Sequence, residues 1–375
     1  MRKTILFGLM LAMMLFAALP AFAAEPIRIG ALAAITGGSA MLGQQAKEGL
    51  IMAEQDLNVK GGVLGRPVKI FLEDAQGVPT AGVNAARKLI FDQKVSVIIG
   101  DHQSTVVLAF MDTAAQAGIP VLATGSAQKI TDAGNPWVFR VREYDKLAGS
   151  ALVNYAVKAG YKKIAIFHNT DQFGVGGRDN IVAAMKAKGL QPVAVEAHNT
   201  GDKDFTAQLL SIKKSGADAM IVFTHNEEHA LITRQVNQLM PEIAYFGSMV
   251  LGQASTINMA QGAADGKYTA TPYVASNPDP RVQDFVKRYK AKFGHLPETF
   301  SVLYYDSAMM VAKAIEMGKS AEPKSIRDNL RKIKAFPGVS GLDYTFDEKG
   351  EAVNEIFIVK IENGTPKVVQ KIEGK

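Results

Sequence analysis

From residue 27 onward the chain alternates between two hydrophobic periodicities. Short apolar runs bounded by turn residues read as buried strands, and stretches with apolar positions three and four apart read as helices. The run IRIGALA at 27–33 is a strand, and residues 44–58 follow with helical spacing. Next come a strand at 67–73, a helix at 79–93, a strand at 95–99, a helix at 105–116 and a strand at 119–122. Strands and helices alternating through short connections predict a parallel sheet covered on both faces.

The order then starts again. Strands at 163–167, 191–196, 219–223 and 243–246 alternate with helical stretches at 175–188, 205–214 and 228–239. Past residue 270, Pro272, Pro278 and Pro280 mark a turn-rich crossing, followed by helical patterns at 281–293, 300–317 and 324–334. The end reads as a hairpin, 354–361 with 366–372, around Asn363-Gly364. The late helices are expected to return to the first lobe and the hairpin to the second, giving three crossings. The predicted fold is α/β, with two Rossmann-like lobes built on parallel central sheets. Lobe 1 is expected to span 24–143 and 272–345, and lobe 2 144–271 and 346–375.

Residues 1–23 follow a different pattern. Arg2 and Lys3 precede an apolar run from Ile5 to Leu19 and the small-residue site Ala21-Phe22-Ala23. That is the form of a cleavable secretory signal, with cleavage expected after Ala23. A run of about 15 apolar residues falls short of the ~20 needed to span a bilayer. The chain has no cysteine, so it has neither disulfides nor a thiol for a lipid anchor. A periplasmic location is expected.

Charge narrows the partners. Removing Arg2 and Lys3 from 42 basic residues leaves 40 against 36 acidic ones. The basic residues are scattered, as in Lys162-Lys163 and Lys213-Lys214, with no stripe interleaved with aromatics. Nucleic acid is therefore not an expected partner.

In open parallel sheets, ligands gather beyond the carboxyl ends of the strands. Four strand ends here carry polar chemistry: GDHQST, ATGSAQ, HNTDQFG and THNEEH. The first two supply Ser104, Thr105, Thr124 and Ser126. Hydroxyls beside free backbone N–H groups suit a carboxylate or phosphate. The same residues also cap helices in proteins generally, so each alone would be ambiguous. Two neighbouring strand ends together favour a ligand.

Motifs for enzymes fail. His225-Asn226-Glu227-Glu228-His229 fits H-x-x-E-H formally, but His225 falls at a strand end. A ligand-facing His225 and a solvated His229 are expected instead. Gly174, Gly176 and Gly177 miss a dinucleotide fingerprint, because its third glycine falls on Asp179. No cofactor, metal or catalytic set is expected. Asn363-Gly364-Thr365 reads as the hairpin turn, and Tyr304-Tyr305 as core.

These residues also carry a resemblance. The segments IRIGALAAITGGSAMLGQQAKEGLIMAEQDLNVKGGVLGRPVKI, VSVIIGDHQST, GIPVLATGSA, KIAIFHNTDQFGVGG and HNTGDKDFTAQLLSIKKSGADAMIV stand in the order and spacing of one family. Over residues 25–375 the chain resembles the branched-chain amino acid binding proteins of ABC transporters, with the type I periplasmic binding fold. The resemblance implies a monomer whose lobes close over a small ligand and present it to a permease and ATPase. It implies that Ser104, the backbone around Gln103, and Thr124, Gly125 and Ser126 hold a carboxylate. Phe173 keeps an aromatic the family places over the ligand, His225 replaces a second one, and Leu42 stands near the ligand tail. Phe300 matches a residue near the pocket. Met249 departs: the family carries an acid there that pairs with the α-ammonium. Asp101, Asp145, Glu227 or Glu228 would have to substitute, or the ligand is an aromatic or aliphatic carboxylate without an amine. A periplasmic sensor of the same fold is the other alternative.

Overall fold

The computed structural model describes residues 25–132, 134–352 and 355–373. The expected signal peptide and its cleavage site lie outside them. The first lobe is built on β1 (Ile27–Ala33), β2 (Val68–Asp74), β3 (Ile98–Ile99), β4 (Val121–Ala123) and β5 (Val138–Arg140). All pairings are parallel, in the order β2-β1-β3-β4-β5. The connecting helices are α1 (Ala40–Val59), α2 (Pro79–Arg87) with a π turn at Lys88–Asp92, α3 (Ser104–Gln116) and α4 (Lys129–Asp132).

The chain passes to the second lobe through α5 (Asp145–Lys158). There β6 (Ile164–Asn169), β7 (Ala194–His198), β8 (Ala219–Phe223), β9 (Ala244–Gly247) and β10 (Tyr268–Thr271) are joined by α6 (Gln172–Lys186), α7 (Thr206–Lys214) and α8 (Asn226–Leu239). A 3-10 turn, Met249–Gly252, and α9 (Ala254–Met259) link β9 to β10. The order β7-β6-β8-β9-β10 repeats that of the first lobe, again all parallel. Every residue of β6 and β8 is buried, because helices cover both faces.

After β10 the chain returns through α10 (Pro280–Phe293), α11 (Thr299–Gly318) and α12 (Pro323–Leu330). A Cβ on Gly49 of α1 would lie 2.0 Å from the Ser301 carbonyl oxygen, so the α1 and α11 backbones touch where only glycine fits. Tyr304 donates to the Leu32 carbonyl at 2.7 Å, tying α11 to β1. Tyr304 and Tyr305 are core, as their apolar helix predicts. A short ladder, β11 (Phe336–Pro337) with β12 (Asp343–Tyr344), follows. Phe346 and Ala352 still pack in the first core, and the chain re-enters the second sheet only at Glu355. There β13 (Glu355–Glu362) and β14 (Thr365–Glu373) form an antiparallel hairpin. Its turn holds Asn363 and Gly364 at φ of 51° and 71°, the left-handed pair that such hairpins require.

Three differences from the sequence pattern matter. Strand β3 is only two residues long. Strand β5 and helix α5 lie in a stretch, 138–158, where the apolar spacing predicted nothing. Strand β10 was also missed.

Candidate functional site

In both lobes the strand order reverses beside the first strand, between β1 and β3 and between β6 and β8. Chain leaving the carboxyl ends there faces the other lobe. From β3 comes Gly100–Gln103, and α3 opens at Ser104. The end of β4 supplies Thr124, Gly125 and Ser126. These two strand ends meet: a Cβ on Gly125 would lie 3.1 Å from Ser104 Cα. Ala127 N donates to Ser104 Oγ at 3.1 Å, which fixes the serine while leaving its own O–H free to donate. Gln103 is half-buried and donates to Ser39 Oγ at 2.7 Å. Thr105, one residue along α3, is half-buried and outside the buried set.

The 126–127 turn is held from below by Arg140, which is fully buried. Its Nη1 donates to the carbonyls of Ser126 and Ala127, each at 2.8 Å. Its Nε donates to Glu351 at 2.8 Å, closing a buried ion pair. With the turn fixed this way, Thr124 Oγ1 and Ser126 Oγ are buried and complete no well-formed hydrogen bond, although Ser126 lies near the Asp145 carboxyl and Thr124 near the Tyr304 hydroxyl. An unsatisfied buried polar atom costs about 1–3 kcal/mol. Here two occur at the end of β4, the strand next to the switch point.

The second lobe contributes Phe173 and His225. Asp171 caps α6 by accepting from Gly174 N at 2.9 Å, and its other oxygen lies 2.7 Å from His225 Nε2. Burial opposes charge on His225, but the hydrogen bond and charge of Asp171 outweigh it and raise its pKa above the ordinary value. Phe173 packs 5.2 Å from the His225 ring and 4.7 Å from Phe223. The glycines beside it serve packing: a Cβ on Gly177 would lie 2.1 Å from the Phe223 ring. Among the described residues, His225 belongs to no group of three or more side chains that could hold a metal ion. Glu228 accepts from Gly201 N at 2.7 Å, and His229 meets the Tyr245 hydroxyl at 3.0 Å. The expectation of a solvated His229 is corrected: it is fully buried against Tyr245 beneath β9.

Met249 and Phe300 both border Arg142 where the lobes touch, and Leu42 is buried in the same cluster. Thus Leu42, Ser104, Thr124, Gly125, Ser126, Phe173, His225, Met249 and Phe300 are buried around the junction of the two lobes. Sequence reasoning missed two residues there, Arg142 and His102, and named Asp145 only as one of four possible ammonium partners. Arg142, just past β5, is buried, donates to Glu143 at 2.7 Å, and lies 3.1 Å from Met249 Sδ. His102 packs 5.2 Å from Phe300, and both its ring nitrogens lack partners. Burial, with the charges of His225 and Arg142 nearby, pushes its pKa down to about 3, so the ring is neutral. Asp145 is buried with both carboxylate oxygens unpartnered. Burial outweighs the nearby Ser126 hydroxyl and Arg142 charge and raises its pKa to about 7. The readable signal was VFRVRE, an apolar strand pattern carrying arginines that a buried strand holds only when paired.

Of the four acids considered as ammonium partners, Glu227 lies partly exposed on Lys203, and Glu228 is committed to Gly201. Asp101 is buried and accepts from Gln103 N at 2.7 Å. Only Asp145 keeps both oxygens unpartnered.

Comparison with known proteins agrees with this architecture. The family model described as "Periplasmic binding protein" matches residues 26–366. The chain is 27% identical over 339 residues to the leucine-, isoleucine-, valine-, threonine- and alanine-binding protein of Pseudomonas aeruginosa, covering 90% of each. It is 29% identical to the Leu/Ile/Val-binding protein BraC3 of Rhizobium johnstonii, covering 88% of this chain and 90% of that one. The crystal structure of a leucine binding protein, LivK, from Thermotoga maritima superposes with a TM-score of 0.86 at 28% identity. It covers 92% of this chain and 99% of that one. The chain belongs to the periplasmic binding protein family, whose members bind solutes and are not enzymes.

Proposed function

We propose that this protein captures a small carboxylic acid between its lobes in the periplasm and delivers it to the permease and ATPase of an ABC importer. One observation carries the reading: the unpartnered, buried hydroxyls of Thr124 and Ser126 stand against the N-terminus of α3 and Ser104. Hydroxyl and backbone N–H donors at a helix start suit a carboxylate. The apolar walls from Leu42, Phe173 and Phe300 suit a small apolar body, and Met249 and His225 complete the cover. A ligand that touches both lobes favours the closed form by its differential affinity for the two states. The protein is expected to act as a monomer, without a cofactor.

Two ligand classes fit these walls. Amino acids with small apolar side chains follow from what the similar proteins are named for. An acid without an amine is favoured by Met249, which contacts Arg142 and offers no charge to an ammonium.

A thermal-shift screen against amino acids and matched amine-free acids tests the function. A ligand at 100 times its Kd stabilises the folded state by about 2.7 kcal/mol. At least one carboxylic acid is expected to raise Tm. If none does while an unrelated solute does, carboxylate capture is wrong.

A further inference from the structure

We infer that Arg142 is the cationic anchor of the bound acid and sets its class: a carboxylate with no ammonium beside it. The inference rests on the carboxylate reading above and names the residue that decides between its two ligand classes.

Arg142 leaves β5, the strand next to β4, whose end carries Thr124. Its Nη1 lies 3.4 Å from the Thr124 carbonyl, and its guanidinium carbon 5.7 Å from the centre of the Phe300 ring. The cation thus borders both the hydroxyl pair and an apolar wall. Its charge is shared with Glu143, yet Nε is buried with no acceptor, and one Nη2 contact is to a thioether. Sulfur of this kind accepts weakly. A guanidinium N–H in low dielectric gains most from an anionic oxygen. The neighbouring Thr124 and Ser126 hydroxyls lack partners too, so one carboxylate can satisfy several of these donors together.

An ammonium meets the opposite situation. A second cation beside Arg142 is repelled, and the more strongly because water is excluded. Of the buried acids nearby, Asp101 and Glu143 each keep one oxygen without a partner, the first also bonded to Gln103 N and the second to Arg142 itself; Asp145 keeps both, packed against Gly176 of α6, where a Cβ would come within 3.2 Å of it. With its pKa raised to about 7 by burial, it is only partly ionised at neutral pH. His102, neutral and unpartnered, adds one donor and one acceptor and no charge.

The test is isothermal titration with two matched pairs, leucine against 4-methylpentanoate and phenylalanine against 3-phenylpropanoate. Wild type, Arg142→Met, Arg142→Lys and Met249→Glu are compared. In at least one pair the amine-free acid is expected to bind wild type tenfold or more tightly than its amino acid. Arg142→Met should weaken that acid at least tenfold, with Arg142→Lys falling between. Met249→Glu, by engaging Arg142, should weaken it as well, which keeps the test open if Arg142→Met does not fold. Tighter binding of the amino acids would overturn the role of Arg142 while leaving carboxylate capture standing. Unchanged affinity in Arg142→Met or Met249→Glu would do the same. Binding by neither series would overturn both.

Discussion

Nη2 of Arg142 lies 3.1 Å from Sδ of Met249 and so joins the end of β5 in one lobe to the turn after β9 in the other. The contact exists only while the lobes are together. Gln45 donating to Gln253 at 3.1 Å and Lys129 to Gln172 at 3.2 Å bridge the lobes in the same way. Closing the lobes therefore assembles the site from parts that are separate in sequence, which is the physical basis for reading occupancy through shape.

Thr124→Val removes a buried hydroxyl that has no partner and keeps the side-chain shape. Without ligand, stability in a urea titration should be unchanged or higher, because an unsatisfied group costs about 1–3 kcal/mol. Affinity for the captured acid should fall by about 1.5–3 kcal/mol, the worth of a hydrogen bond to a charged group. A variant that loses stability and keeps affinity would place Thr124 in the scaffold.

Glu351→Ala leaves Arg140 buried without its counter-charge. Breaking one side of a buried pair costs about 3–5 kcal/mol. Arg140 also holds the Ser126 and Ala127 carbonyls, so affinity should fall with stability. Replacing both partners by apolar residues should cost less stability than Glu351→Ala. Equal losses in denaturant unfolding would show that the unpaired charge is not the cause.

Asp145 gives a pH dependence of definite sign. Its folded pKa is near 7 against an ordinary 3.8, so the folded state binds the extra proton between these values. Stability contributed this way is present below pH 3.8 and is lost as pH rises towards 7. Asp145→Asn should therefore gain stability over wild type as pH is raised through that window. A difference between the two proteins that does not vary from pH 4 to 7 would contradict the buried, protonatable carboxyl.

Glu298, at the start of α11, accepts from Gln45 Nε2 at 3.0 Å and from Ser255 Oγ of the other lobe at 3.2 Å. Ser255 N also donates to it, at 3.3 Å. Glu298→Ala should weaken closure by about 1 kcal/mol, the net worth of a typical hydrogen bond. Small-angle scattering should show a larger radius of gyration without ligand, and affinity should drop several-fold. An unchanged radius and affinity would remove these bonds from the closing equilibrium.

The strand-helix alternation was legible because parallel strands are continuous apolar runs, as IAIF in β6 shows. The hairpin was legible because Asn363-Gly364 has one dominant structural meaning. The hydroxyls of Ser104, Thr124 and Ser126 were found because they follow strand ends directly. Strand β5 was hidden because it is three residues long and includes a buried arginine, which hydropathy reads as surface. His229 was misread for the same reason: its polarity suggested solvent, and the Tyr245 hydroxyl that partners its Nδ1 is sixteen residues away. Arg142 fell in that unread stretch, so the site was found without its cation, and Asp145 was named only as one of four possible acids.

The most direct measurement is a crystal structure of the protein with the acid that gives the largest thermal shift. Its carboxylate is predicted to lie within hydrogen-bond distance of the Thr124 and Ser126 hydroxyls, with Ser104 and Arg142 beside it and the lobes closed. A carboxylate pointing towards His225 and Phe173, or an acid seated away from the β4 and β3 strand ends, would contradict it.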